Sequence, residues 1–151
     1  MLRKLGTFVA VLMLGPGVGF GQCWSAYETV VSGDDKDLAS SRRGQLGTVD
    51  CTVGENVGPI VKTIWNPAPG PGGCGGSPVE RDGLVQQWYN WYPDVVTLTG
   101  SSYTASVFCE SVGNATVGVK VEEPHNWCSA TSCNPLSSGF PVVAIAVEVT
   151  E

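Results

Sequence analysis

The sequence predicts an exported, disulfide-linked, all-β domain, and three observations lead to this expectation. The apolar residues of the 151-residue chain show no sustained helical period. They fall instead into short alternating runs separated by Gly, Pro, Ser and Asn, which is typical of strands and turns. The N-terminus has the composition of a secretion signal. The chain contains six cysteines, and an even number is typical of exported proteins with disulfides.

Residues 1–21 have the features of a cleavable signal peptide. Arg3 and Lys4 form a short positive segment, and an apolar run follows over residues 5–14. Small residues precede the expected cleavage point after Gly21, as a signal peptidase requires. The apolar run is shorter than the about 20 residues that a membrane span needs. We therefore expect export to the periplasm, the cell surface or the medium.

The mature chain, residues 22–151, is expected to be one acidic domain. The full sequence has eight basic and fourteen acidic residues. Cleavage removes Arg3 and Lys4, which leaves six basic against fourteen acidic residues, a net charge of −8. Nucleic acids and anionic membranes need a cationic partner surface, so we expect neither as a partner. The longest later apolar run, residues 141–149, has the length of a strand, so no span is expected in the mature chain.

About eight strands are expected in this domain. The alternation is most regular where Val117, Val119 and Val121 share one face and polar residues occupy the other. The expected strands lie near residues 23–31, 46–53, 59–65, 84–92, 94–99, 102–110, 116–123 and 141–150. Long loops are expected over residues 32–45, 66–77 and 124–139. Residues 112–115, Val-Gly-Asn-Ala, have the composition of a tight hairpin turn.

All six cysteines remain in the mature chain, and their number alone leaves the pairing open. They are Cys23, Cys51, Cys74, Cys109, Cys128 and Cys133. The short spacing within one loop favours a Cys128–Cys133 bond. A zinc site on His125, Cys128 and Cys133 is the alternative, but it lacks a fourth ligand. Oxidation outside the cytosol would also compete for these thiols, so no metal or other cofactor is expected.

Cys51, Trp65 and Cys109 form a further pattern, with both cysteines on the inward faces of strands. The pattern resembles the Cys…Trp…Cys arrangement of immunoglobulin-like (Ig-like) sandwiches, in which a tryptophan packs on an inter-sheet disulfide. Residues 102–121 are also similar to the final hairpin of bacterial Ig-like and polycystic-kidney-disease-type domains. The resemblance covers about residues 46–123. It implies a disulfide-linked Ig-like antiparallel β-sandwich with a Cys51–Cys109 bond.

Two features depart from that family. Val107 occupies the position of the tyrosine corner, two residues before the second cysteine. A strong apolar strand near residues 141–150 also follows the point where an Ig-like chain ends. The strand order is therefore left open. With the other four cysteines paired as above, Cys23 and Cys74 form the third expected bond by elimination.

Residues 86–93, Gln-Gln-Trp-Tyr-Asn-Trp-Tyr-Pro, concentrate aromatic side chains. On a strand these side chains would occupy both faces. A pair that faces away from the core would form a flat stacking surface for sugar rings or a protein partner. We therefore predict ligand binding at Trp88, Tyr89, Trp91 and Tyr92. In the alternative interpretation both faces are covered, one by the core and one by the Pro-Gly segment.

No arrangement of residues predicts catalysis. His125 is the single histidine, and the neighbouring Glu122 and Glu123 point to opposite faces of a strand, so they cannot cooperate. Residues 34–37, Asp-Asp-Lys-Asp, lack the spacing of a calcium loop. We expect a non-catalytic module that binds a protein or glycan outside the cytoplasm. The alternatives are a structural or adhesive surface component without a small ligand, and a small secreted hydrolase that uses His125.

Overall fold

The computed structural model describes residues 24–67, 77–128 and 133–151, and these residues form strands and no helix. The strands are β1 (Trp24–Gly33), β2 (Lys36–Ser40), β3 (Gly44–Gln45), β4 (Thr48–Thr52), β5 (Asn56–Val57), β6 (Ile60–Pro67), β7 (Val79–Asp82), β8 (Leu84–Asn90), β9 (Val96–Gly100), β10 (Ala105–Cys109), β11 (Gly113–Cys128), β12 (Cys133–Gly139) and β13 (Val142–Thr150). The all-β prediction is confirmed. In the described ranges no helix is long and apolar enough to cross a membrane. The expected signal peptide, Cys23 and Cys74 lie outside them.

All eight expected strands are present, and five further strands accompany them: β2, β3, β5, β7 and β12. The prediction of a loop over residues 32–45 is wrong, because β1 and β2 form a hairpin there. Its turn consists of Asp34 and Asp35, whose φ angles of 49° and 61° are those of a hairpin turn. Leu38 and Ala39 in β2 are then buried in the core. The sequence pattern did not predict this short strand because polar turn residues precede its few apolar positions.

The expected loop over residues 124–139 is also wrong in its larger part. β11 continues to Cys128, and β12 returns antiparallel to it. After β12 the chain continues as β13, which pairs antiparallel with the first half of β11. Pro124 and Pro135 obscured this pairing in the sequence. A proline is tolerated in a strand that has a neighbour on only one side, and β12 is such an edge strand.

The strands form three sheets. Their orders are β3-β2-β1-β6-β7, β5-β10-β9 and β12-β11-β13-β4, and β8 pairs with β11 on the edge opposite β13. All pairs are antiparallel except β13 with β4. The expected hairpin between residues 102–110 and 116–123 is wrong, since β10 and β11 belong to different sheets. Gly113 and Asn114 are therefore the first residues of β11 and not a turn.

One apolar core is shared by the sheets, an arrangement compatible with a β-sandwich. It consists mainly of valines from alternate positions of β11 and β13, together with residues of β1, β2, β4, β6 and β10. The predicted Cys51–Cys109 disulfide lies in this core and joins β4 to β10, strands of two different sheets. Both cysteines are buried.

The tryptophan that packs against this core is not the one expected. Trp65 lies on β6 in the sheet β3-β2-β1-β6-β7, where it pairs with Ala26 and Val79. Trp88 of β8 packs instead against the cluster that contains both bonded cysteines. The spacing of Trp65 from Cys51 matched the Ig-like pattern, but the pairing of β6 with β1 takes Trp65 into another sheet.

Candidate ligand-binding surface

The aromatic segment predicted to bind a ligand is divided by the end of β8 at Asn90. Trp88 and Tyr89 lie on the strand, and Trp91 and Tyr92 follow it. The side chain of Asn90 holds the bend: its Nδ2 donates to the Val96 carbonyl at 2.7 Å, and its Oδ1 accepts from the Tyr92 amide at 3.0 Å. The expectation that all four aromatic residues alternate along one strand is therefore corrected.

Trp88 and Tyr89 face opposite sides of the sheet. Trp88 pairs with Val119 on the inward face and donates its Nε1 hydrogen to the Ser102 carbonyl at 2.9 Å. Tyr89 pairs with Gly118 on the outward face. Trp88 therefore contributes to the core, and Tyr89 to the surface.

Tyr89 and Trp91 form a parallel pair on the outward face. Their ring centroids are 5.8 Å apart and the ring planes differ by 6°, which is an offset arrangement favoured by aromatic quadrupoles. Trp91 is 49% exposed. The chain bend at Asn90 thus lets two aromatic rings that are two residues apart stack on one another at the surface.

Gly118 makes the position of Trp91 possible. A Cβ atom at residue 118 would lie 2.5 Å from Cη2 and 2.7 Å from Cζ3 of Trp91. The same Cβ would lie 3.5 Å from Cγ1 of Val142. The absence of a side chain in the middle of β11 therefore lets the indole rest directly on the sheet, beside Val142.

The apolar surface continues from Trp91 along β13. Val142 is 50% exposed, and Phe140 just before β13 is 49% exposed. The Lys120 ammonium lies 5.6 Å from the centre of the Phe140 ring, within cation–π range. We call the surface formed by Tyr89, Trp91, Gly118, Phe140 and Val142 the aromatic platform.

Phe140 and Val142 were not among the predicted site residues. They are far from residues 86–93 in the sequence, and the pairing of β11 with both β8 and β13 brings them together. A signal was nevertheless present: β13 carries apolar residues on its outward as well as its inward positions, notably Val142, Ala144 and Ala146. A strand that faced water on that side would carry polar residues there.

The charged groups around the platform are few and of both signs. Lys120 and Glu122 occupy the outward face of β11, next to Phe140 and Ser138 respectively. Glu122 accepts hydrogen bonds from Ser138 Oγ at 2.8 Å and from Gln86 Nε2 at 3.3 Å. The platform therefore carries no concentration of one charge.

No family model, curated protein or solved structure matches the chain. The function of the aromatic platform has to be inferred from its own geometry, and from what the other candidate sites contain.

The inward face near the end of the core holds a buried polar cluster. Glu123 is 4% exposed and accepts hydrogen bonds from Thr29 Oγ1 at 2.6 Å and Ser41 Oγ at 2.7 Å. Thr63 pairs with Thr29 across β6 and β1, and its buried hydroxyl has no hydrogen-bond partner. One oxygen of the Glu123 carboxylate, Oε1, thus accepts from two internal hydroxyls.

A second buried carboxylate, Glu28, is paired with a cation. It accepts hydrogen bonds from Ser40 Oγ and from Arg43 Nε, the latter at 2.6 Å. The hydrogen bond to Glu28 raises the pKa of the half-exposed Arg43 guanidinium. Asp37 lies 3.5 Å from the same guanidinium. These contacts tie β3 and the preceding turn to β1 and serve the fold.

His125 and Asp37 belong to the groups considered for hydrolysis and calcium binding. Ser25 Oγ lies 3.2 Å from His125 Nδ1, whereas Glu123 Oε1 accepts from Thr29 and Ser41. In the described part of the chain no carboxylate hydrogen-bonds to His125. Asp37 accepts from Ser32 and faces Arg43. Among the described ranges no three His, Cys, Asp or Glu side chains are grouped as metal ligands.

Proposed function

We propose that the chain is an exported, non-catalytic Ig-like module that binds a glycan through the aromatic platform. The observation that supports the proposal is the half-exposed Trp91, which is parallel to Tyr89 and rests on Gly118. Burying an apolar side chain is favourable, so an exposed cluster of aromatic side chains indicates a surface that becomes covered by a ligand.

The shape and chemistry of the platform favour a glycan. The apolar C–H groups of a pyranose ring carry partial positive charge and pack on the negative face of an aromatic ring. Tyr89 and Trp91 are stacked, so the pair presents an outer ring face to such a ligand. Gln87 pairs with Lys120 and Thr116 with Ala146 beside the platform, and both side chains can hydrogen-bond to sugar hydroxyls.

Export, the Ig-like domain and the non-catalytic role are supported by features outside the platform. A disulfide such as Cys51–Cys109 persists in an oxidising compartment, which supports export. The bond joins two sheets across a shared core, which supports an Ig-like domain. The engagement of Glu123 with Thr29 and Ser41 supports a non-catalytic role.

A surface that contacts another protein is the second candidate. Val142 and Phe140 are each about half exposed and extend the apolar area away from the parallel ring pair. Aliphatic side chains contribute to protein interfaces but add little to stacking on sugars. In that case the chain would be a structural or adhesive component, and a glycan screen would find no ligand.

Replacing Trp91 by alanine is expected to weaken glycan binding at least tenfold. The loss corresponds to about 1.4 kcal/mol, which lies within the energy of a single well-packed aromatic contact. Isothermal titration calorimetry with a polysaccharide that binds the wild type measures the change. Phe108→Ala is the matched control, since Phe108 is 38% exposed on β10 of another sheet. Equal affinity of the Trp91→Ala variant and the wild type would contradict the proposal.

A further inference from the structure

We infer, on the basis of the proposed function, that the aromatic platform takes an uncharged polysaccharide lengthwise and does not recognise a chain end or an anionic glycan. Length, shape and charge each contribute to this inference. The occupant is defined by its chemistry alone: pyranose rings in an extended chain without carboxylate or sulfate groups.

The length of the platform exceeds one sugar ring. Its long direction runs from Ala144 of β13, which pairs with Gly118, to Phe140, which precedes that strand. The four residues from Ala144 to Phe140 span at most about 13 Å, since Phe140 and Pro141 precede β13. The platform also crosses β8, β11 and β13, which corresponds to about 10 Å between the outer strands. A single pyranose would cover only part of this area.

The shape of the platform favours a ligand that lies across it. Val142 lies in the middle of the strip, beside Gly118, which Trp91 covers. Aromatic rings lie at its two ends, with Trp91 at one and Phe140 at the other. Such a strip offers stacking positions along a chain, whereas recognition of a chain end requires walls that enclose the terminal ring. A separate open depression, lined by residues 32–37, Gly58, Ile60 and Lys62, shares no residue with the platform.

The charge of the platform favours a neutral ligand. Anionic glycans are bound by several convergent cations. The platform has Lys120, which is already placed over Phe140, and the opposite charge of Glu122 lies close along β11. The net charge of the mature chain, −8 by the count of its residues, would add long-range repulsion of an anionic polymer.

Titration of the secreted protein with oligosaccharides of increasing length tests the inference. The probes are β-glucan, mannan and xylan oligosaccharides, each as disaccharide and hexasaccharide, with oligogalacturonate and heparin fragments as anionic probes. We expect at least one neutral hexasaccharide to bind at least tenfold more tightly than its disaccharide. We also expect its affinity to change less than twofold when salt is raised, because no ion pairs are formed.

A variant at the far end of the strip tests the lengthwise mode. Phe140→Ala is expected to reduce hexasaccharide affinity at least threefold more than disaccharide affinity. Phe108→Ala is the control, and the thermal midpoint of each variant shows whether it folds. If Phe140→Ala itself fails to fold, the length dependence of the wild type still decides the question.

The possible failures are distinguishable. Equal affinity for a disaccharide and its hexasaccharide would overturn the lengthwise mode and leave glycan binding in place. Salt-sensitive binding of only the anionic probes would overturn the neutral ligand and likewise leave glycan binding in place. Absence of binding to every probe, with a folded protein, would overturn the proposed function together with this inference.

Discussion

Removing the inter-sheet disulfide is expected to lower the free energy of unfolding by about 4 kcal/mol. Cys51 and Cys109 are 58 residues apart in the chain, so their bond restricts a long loop of the unfolded chain. Both lie in the core that holds β4 and β10 together. Denaturant titration of the Cys51→Ser/Cys109→Ser double variant measures the change, and the double replacement avoids a free thiol.

The matched control for this variant is Cys128→Ser/Cys133→Ser. The hairpin of β11 and β12 places Cys128 and Cys133 as register partners, and their disulfide stays a prediction. Because that bond would close a far shorter loop, its removal is expected to cost about 2 kcal/mol. A smaller loss from the Cys51/Cys109 variant than from the control would contradict the role assigned to the inter-sheet bond.

Replacing Glu123 by alanine is expected to lower the free energy of unfolding by about 3 kcal/mol. The change removes a buried acceptor and leaves the hydroxyls of Thr29 and Ser41 without their partner. Hydrogen bonds to a charged group are among the stronger ones in proteins. Equilibrium unfolding in urea, followed by tryptophan fluorescence, measures the loss.

The adjacent carboxylate provides the control for this change. Glu122 is half-buried on the opposite, outward face, with Ser138 and Gln86 as partners. Glu122→Ala is therefore expected to cost less than about 1 kcal/mol, as surface substitutions do. Equal losses from the two variants would show that the buried cluster around Glu123 does not stabilise the fold.

Alternation along the chain predicted where strands lie but not which strands pair. Val117, Val119 and Val121 are buried as their period indicated. The same residues gave no information on whether their neighbour would be β10 or β13. Pairing depends on which apolar faces can be buried together over long sequence distances, and the hairpin expected at residues 112–115 failed for that reason. Strands shorter than one alternation, such as β5, are likewise invisible in the pattern.

The aromatic platform could be predicted only in part, for the same physical reason. Local composition identified Tyr89 and Trp91, because four aromatic residues in one segment cannot all enter the core. It could not identify Gly118 or Phe140, which join the platform only through the pairing of β11 with its neighbours. Trp88 could not be assigned to a face from composition, since its inward position on β8 depends on the register of that strand.

The most direct test of the central claim is to map where a glycan contacts the protein. Backbone amide chemical shifts of the isotope-labelled domain are followed during titration with the neutral hexasaccharide that binds best. We predict that the largest changes fall on the outward residues of β8, β11 and β13, with Trp91 and Gly118 among them. Changes confined to the depression between Ser32 and Lys62, or to the neighbourhood of His125, with the platform unaffected, would contradict the account.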